Sequence, residues 1–176
     1  MLAIAMAGVK LGDRLLQVGC TDASLLAALA GKVGLSGRAC ACVTTEEDAA
    51  RARGGAERAG ILLEIERAAL GAFPYTDHSF NLVVVDNQDG LISNARPEDR
   101  VATLQQLKRL LLPRGRILIV ERARRAGLGA LLSGGAPSDT PYQRSGGAVT
   151  ALKAEDFKAV RLLAERDGMS FFEGIT

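Results

Sequence analysis

Residues 15–24 read LLQVGCTDAS. An apolar run, one glycine and a polar stretch opening a helical pattern have the shape of a buried strand that turns sharply into a helix. In open α/β sheets such junctions hold nucleotide-like ligands. The glycine lets the backbone come close to the ligand, and the helix start presents unpaired N–H groups. Loops of this kind usually carry two or three glycines. Here Gly19 stands alone, with Thr21 and Ala23 where further glycines are expected.

Outward from this stretch, apolar runs alternate with helical patterns. Arg14–Gly19 is predicted as a strand, and residues 24–33 as a helix with Leu25, Leu26, Leu29 and Val33 on one face. Gly34 and Gly37 interrupt the chain before a second predicted strand at Arg38–Val43. Thr44 with Glu47, or Thr45 with Asp48, has capping-box spacing for a helix reaching about Ala59. Ile61–Ile65 and Phe80–Asp86 read as further strands, separated by the turn-rich FPYTDHS. Pro97, with Glu98 and Asp99, suits a helix first turn. Val101, Leu104, Leu107 and Leu111 are expected to line that helix, Pro113-Arg-Gly115 to end it, and Arg116–Val120 to form the next strand. Residues 122–147, rich in glycine and arginine, read as a long flexible loop with one helical turn near Leu128–Leu132. A last helix is expected at Val149–Phe157, then a hairpin of Ala159–Ala164 and Met169–Phe172 joined by Arg166-Asp-Gly168. The alternation predicts one α/β domain over 1–176, with a mostly parallel sheet covered on both faces and a closing antiparallel strand.

Composition narrows the function classes. The 176 residues fit one domain, and 22 basic against 20 acidic side chains create no pull on polyanions. Aromatics are 4% and Trp is absent, so a base-stacking platform, and with it a nucleic-acid partner, is not expected. Cys20, Cys40 and Cys42 do not form a disulfide framework and suit a reducing compartment. Cys40-Ala-Cys42 lacks the second ligand pair of a zinc site, so no metal is expected. The apolar start MLAIAMAGVK is too short to span a bilayer and lacks the leading charge of a signal peptide. The expectation is a cytoplasmic protein without a membrane partner.

Four segments carry a family resemblance. LLQVGCTDAS resembles V-L-D-x-G-C-G-x-G, and GRACACVTTEEDAARAR resembles a second strand and helix of the form G-x-V-x-G-V-D-x-S-x-x-M-x-x-x-A. FPYTDHSFNLVVVD resembles L-P-F-x-D-x-S-F-D-x-V, and LKRLLLPRGRILIVE resembles L-K-P-G-G-x-L-x-I-x-E. The chain is similar to class I S-adenosylmethionine-dependent methyltransferases, and within them to the small-molecule branch that includes quinone-biosynthesis enzymes. The resemblance implies a Rossmann-like, seven-stranded, mostly parallel sheet and S-adenosylmethionine as cofactor. It also implies methyl transfer to a small-molecule acceptor, a direct displacement in which alignment does most of the work.

Mapped residue by residue, the resemblance implies that Gly19, Cys20 and Asp22 bind the cofactor, with Thr44 beside the ribose position. Gln17 stands where the family has an acid. Val43 falls at the ribose-binding acid, Ala69 at the acid near adenine, and Asn81 at the Asp of the S-F-D motif. Each charge-assisted bond lost in this way weakens binding by about 1.5–3 kcal/mol. Thr44 and Thr45 are open to two readings, a hydroxyl for ribose or a helix cap. Asp86, at the end of the fourth strand, is the candidate catalytic residue that orients or deprotonates an acceptor, or else a turn former in DNQDG. His78, Tyr142 and the arginines at 122, 124 and 125 are weaker candidates for base, substrate cover and anion contact. Only about a dozen residues precede Arg14, where relatives carry a longer covering helix, so open apolar surface for a protein partner or a second copy is expected. Two functions follow: a methyltransferase with a weakened cofactor site, or a non-catalytic relative serving as an interaction module or silent partner subunit.

Overall fold

The computed structural model describes residues 2–123 and 140–176. A single mixed sheet runs in the order β3-β2-β1-β4-β5-β7-β6. Its strands are β1 (Arg14–Val18), β2 (Arg38–Val43), β3 (Glu64–Arg67), β4 (Phe80–Asp86), β5 (Leu111–Arg122), β6 (Lys158–Arg166) and β7 (Met169–Ile175). The first five are parallel, and β7 lies antiparallel between β5 and β6. The helices are α1 (Leu2–Ala7), α2 (Ala23–Val33), α3 (Glu46–Ala59), α4 (Pro97–Leu110), α5 (Pro141–Arg144) and α6 (Gly147–Ala154). This is the predicted Rossmann-like architecture, with its closing antiparallel strand.

Alternation along the strands divides the core. Leu15, Leu82, Val84, Leu118 and Val120 face α1 and α2, while Ala41 and Val43 face α2 and α3. Leu16, Val18, Val83, Val85, Ile117 and Ile119 point the other way, onto α4 and α6. Both faces are covered, so the central strands carry few polar side chains. The α2–α3 contact depends on Gly55, where a Cβ would lie 2.6 Å from the Ala23 Cβ.

Several expected boundaries move, each for a local reason. The third strand is Glu64–Arg67 rather than 61–65. The helix α3 ends on Gly60 in the left-handed region, and Ile61–Leu63 spend themselves crossing from it, leaving Leu62 80% exposed. Register is set by Cys40 opposite Glu64, with Arg38 held bidentately on the Glu64 carboxylate. On α4 the inner face is Leu104, Leu107 and Leu110 with Thr103, while Val101 is 41% exposed and Leu111 already belongs to β5. That strand is longer than expected because Leu111 pairs with Phe80 before Pro113-Arg-Gly115 loops out, and pairing resumes at Leu82 with Arg116. The last helix stops at Ala154, and Phe157 is buried beneath Gly174. The hairpin strands extend to Arg166 and Ile175. Of the range read as a long loop, Arg122 closes β5 and Pro141–Arg144 form α5 behind a Thr140 capping box. The turn read at Leu128–Leu132, and Arg124 and Arg125, lie outside the described residues.

One buried charge organises the antiparallel end. The Glu173 carboxylate takes Arg116 on Oε1 at 2.5 Å and Arg161 on Oε2 at 2.9 Å. Arg116 also donates to the carbonyls of Met6 and Ala7, so the end of α1 is tied to β5 and β7 through one guanidinium. Removing an acid that offsets a partly buried cation leaves the cation unpaired. Glu173→Ala should therefore lower stability by on the order of 3 kcal/mol in urea unfolding, whereas the exposed pair partner Glu46→Ala should cost about 1 kcal/mol or less.

Candidate functional site

The sheet order places a switch point at β1, whose neighbours β2 and β4 connect in opposite directions. Ligands of open α/β sheets bind outside the carboxyl ends of the strands at such a point. The loop Gly19-Cys20-Thr21-Asp22 leaves β1 there. The structure brings Gly19, Cys20, Asp22 and Asp86 together around this loop and sets Thr44 at the neighbouring end of β2.

The loop is held through several of its backbone groups. The Gly19 N–H donates to the Cys42 carbonyl at 2.9 Å, and the Gly19 carbonyl accepts from Gln17 Nε2 at 3.0 Å. Arg51, from α3, donates to the Cys20 carbonyl at 2.6 Å. The Thr21 N–H donates to Asp86 Oδ2 at 2.8 Å. Gln17 is fully buried, and its Oε1 has no partner among the described residues. An acid at this position would accept rather than donate, and would set negative charge against the Gly19 carbonyl. The amide is therefore what lets residue 17 brace the loop from below.

Gly19 has φ +83°, and an added Cβ would stand 2.9 Å from both the Asp86 carbonyl oxygen and Leu91 Cδ2. Asp22 caps α2, its Oδ1 accepting from the Ser24 N–H at 2.8 Å, so a carboxylate of the chain itself sits at that helix start. Cys20 is buried, and desolvation, reinforced by Asp86, pushes its thiol up to about 11, which leaves it neutral near pH 7. Thr45, not Thr44, is the cap of α3, accepting from the Asp48 N–H at 3.1 Å. The half-buried Thr44 hydroxyl has no hydrogen-bond partner among the described residues. Val43 is buried and Ala69 exposed at the two positions where the family has acids.

Asp86 is 1% exposed and engaged on both oxygens, by Thr21 on one and by the Gln88 amide on the other at 3.1 Å. Burial pushes its carboxyl above the ordinary 3.8, against the opposing pull of those donors. The carboxylate points inward and holds the loop. His78 precedes β4 and so lies on the opposite edge, its Nδ1 2.9 Å from the Leu111 carbonyl. Asn81 is there too, accepting from the Arg14 N–H. Two cavities of about 660 and 550 Å³ also open on that edge, one beside His78 and Arg114, the other beside Leu35 and Leu62.

At the carboxyl ends of β4 and β5 lies a network that the sequence reading did not assemble. Glu121 Oε1 accepts from Tyr142 Oη at 2.6 Å and from Asn87 Nδ2 at 2.9 Å. Asn87 Oδ1 in turn accepts from the Ile92 and Ser93 N–H groups. The Tyr142 ring is 1% exposed and lies under the Arg100 guanidinium, 4.9 Å from the ring centroid. Glu121 closes the L-x-I-x-E segment, and that position was its signal. Tyr142 stood as a candidate substrate cover, but its partners, distant in sequence, gave no signal. Among the described residues no group of three or more metal-ligating side chains gathers. No described helix is long and apolar enough to cross a membrane.

A methyltransferase-domain profile matches residues 15–115, more than half of the chain. The chain belongs to the methyltransferase domain family. No curated protein sequence matches it. Solved structures of the same fold include a SAM-dependent methyltransferase from Aquifex aeolicus, at 19% identity and TM-score 0.76, with 99% of this chain and 87% of that one covered. The [4+2]-cyclase SpnF is similar at 18% identity and TM-score 0.66, covering 95% and 57%. PigF, determined with SAH, is similar at 16% identity and TM-score 0.64, covering 93% and 50%. The chain thus spans about half of the last two, and at these identities the likeness is one of fold.

Two measurements check the loop. Gly19→Ala should lose about 1–3 kcal/mol from backbone strain alone, read by urea unfolding. Asp86→Asn removes a titration. An acid whose folded-state value is raised stabilises below its ordinary value and loses that contribution as pH rises through the raised one. The stability difference between wild type and Asp86→Asn should therefore move in the variant's favour from about pH 4 upward. A difference that ignores pH would count against a buried, desolvated Asp86.

Proposed function

We propose that this domain is an S-adenosylmethionine-dependent methyltransferase acting on a small-molecule acceptor, with a weaker hold on the donor than relatives that keep acids at all the mapped positions. The observation that carries the reading is the Gly19–Asp22 loop at the switch point beside Thr44, whose hydroxyl has no hydrogen-bond partner among the described residues. PigF, a relative in fold, was determined with SAH.

The residues offer the donor mainly backbone, one carboxylate and one hydroxyl. Gly19 and Cys20 offer close backbone, Asp22 a carboxylate at the start of α2, and Thr44 a hydroxyl where ribose hydroxyls need a partner. Val43 and Ala69 offer no charge-assisted bond, so the affinity falls by about 1.5–3 kcal/mol for each bond missing. When bound, the donor supplies a methyl group on a sulfonium sulfur. The chain contributes alignment. Asp86 acts as a positioning residue, holding the Thr21 N–H and with it the loop. Asn87, Glu121 and Tyr142 frame the acceptor side at the ends of β4 and β5. Among the described residues no histidine or neutral-range thiol lies at this edge to act as base. This suits an acceptor that is already nucleophilic near pH 7.

The second reading, a non-catalytic module that pairs with another subunit or a second copy, draws on one specific feature. Several of the loop's backbone groups are paired within the chain, and Leu91 rests against Gly19. A melting curve with S-adenosylhomocysteine separates the two. Ligand at a hundred times its dissociation constant adds about 2.7 kcal/mol to stability. A rise in Tm that saturates at high micromolar to millimolar ligand is expected. An unchanged Tm at several millimolar would transfer support to the non-catalytic reading.

A further inference from the structure

The loop after β4 joins the two sides of the site through a short chain of contacts. Tyr142 Oη donates to Glu121, and Glu121 accepts from Asn87 Nδ2 at 2.9 Å. Asn87 Oδ1 receives the N–H groups of Ile92 at 2.8 Å and Ser93 at 3.2 Å, which fixes the turn containing Leu91. Arg100 braces the same turn by donating to the Ile92 carbonyl at 3.1 Å while covering the Tyr142 ring. The turn delivers Leu91 Cδ2 to the spot where a side chain on residue 19 would begin, 2.9 Å from that Cβ position. Leu91 is half-buried against the core and, with the Asp86 carbonyl oxygen at the same 2.9 Å, lies against the one glycine of the donor loop.

We propose that Leu91 limits access to the donor site, and that the Tyr142–Glu121–Asn87 network holds it there. The inference rests on the methyltransferase reading and adds a cause to the weak donor binding beyond the missing acids. An apolar branch pressed on Gly19 takes up the close approach that the absence of a Cβ provides. The network joins buried Asn87 and Tyr142 through the partly buried Glu121, and its bonds favour one position of the turn over several. A donor ligand must displace Leu91, and the cost of moving it is subtracted from the affinity. Tyr142 and Glu121 are thus positioning residues, acting on the donor side from the acceptor side.

The test is calorimetric binding of S-adenosylhomocysteine to wild type, Leu91→Ala, Tyr142→Phe and, as a control, Val33→Ala, which trims the core on the other face. Leu91→Ala should bind at least tenfold more tightly, and Tyr142→Phe severalfold more tightly even though it is less stable. Val33→Ala should bind as wild type does. Wild-type binding with no gain in Leu91→Ala would overturn the inference and leave the donor reading standing. A gain in Leu91→Ala without one in Tyr142→Phe would overturn the role of the network. A gain in Val33→Ala of the same size would show general loosening rather than a specific obstruction. No binding by any variant at millimolar ligand would sink the inference together with the donor reading.

Discussion

The hydrogen bond from the Thr21 N–H to Asp86 Oδ2 ties the exit of β1 to the exit of β4, across the point where the chain changes direction in the sheet. The candidate donor loop hangs from that tie. The tie sets the path of the loop, which sets the start of α2 and the face that Gly19 presents. It costs the burial of a carboxylate, which is tolerated because two amides and a side chain supply donors. The Gln17 amide completes the brace from beneath, in a role that a carboxylate could not fill with the same polarity.

Much of the fold was legible because buried strands advertise themselves. Arg38–Val43 and Phe80–Asp86 are apolar runs between breakers, and the structure keeps both boundaries. The third strand was misplaced for the opposite reason. It is a half-exposed outer strand, Glu-Ile-Glu-Arg, whose position is fixed by register with β2 and by the Arg38–Glu64 pair, while the more apolar residues before it are linker. Periodicity also misjudged α4 by a fraction of a turn, exchanging Leu110 for Leu111, because the chain passes from helix to strand without a loop.

The candidate site divides along the same line. Gly19, Cys20, Asp22 and Asp86 were legible from local motifs, and they meet in space. What the sequence did not reveal was orientation. Asp86, open to reading as an acceptor-facing acid or as a turn former, engages the loop through Thr21 and its own turn through Gln88, and of Thr44 and Thr45 only geometry decides which caps the helix. The network of Asn87, Glu121 and Tyr142 joins residues up to 55 positions apart in number, a distance at which no local pattern speaks. The likeness to a cyclase as well as to methyltransferases is a reminder that this scaffold constrains position more than chemistry.

The outer strand β3 has a consequence for assembly. Two copies meeting edge to edge across a twofold axis keep their sheet faces aligned, so only residues of equal parity can lie opposite one another. For Glu64-Ile65-Glu66-Arg67 every such alignment sets Glu against Glu or Arg against Arg. The parity of four residues thus guards the open margin of the sheet, and contact between copies through a continuous ladder at β3 carries a built-in repulsion.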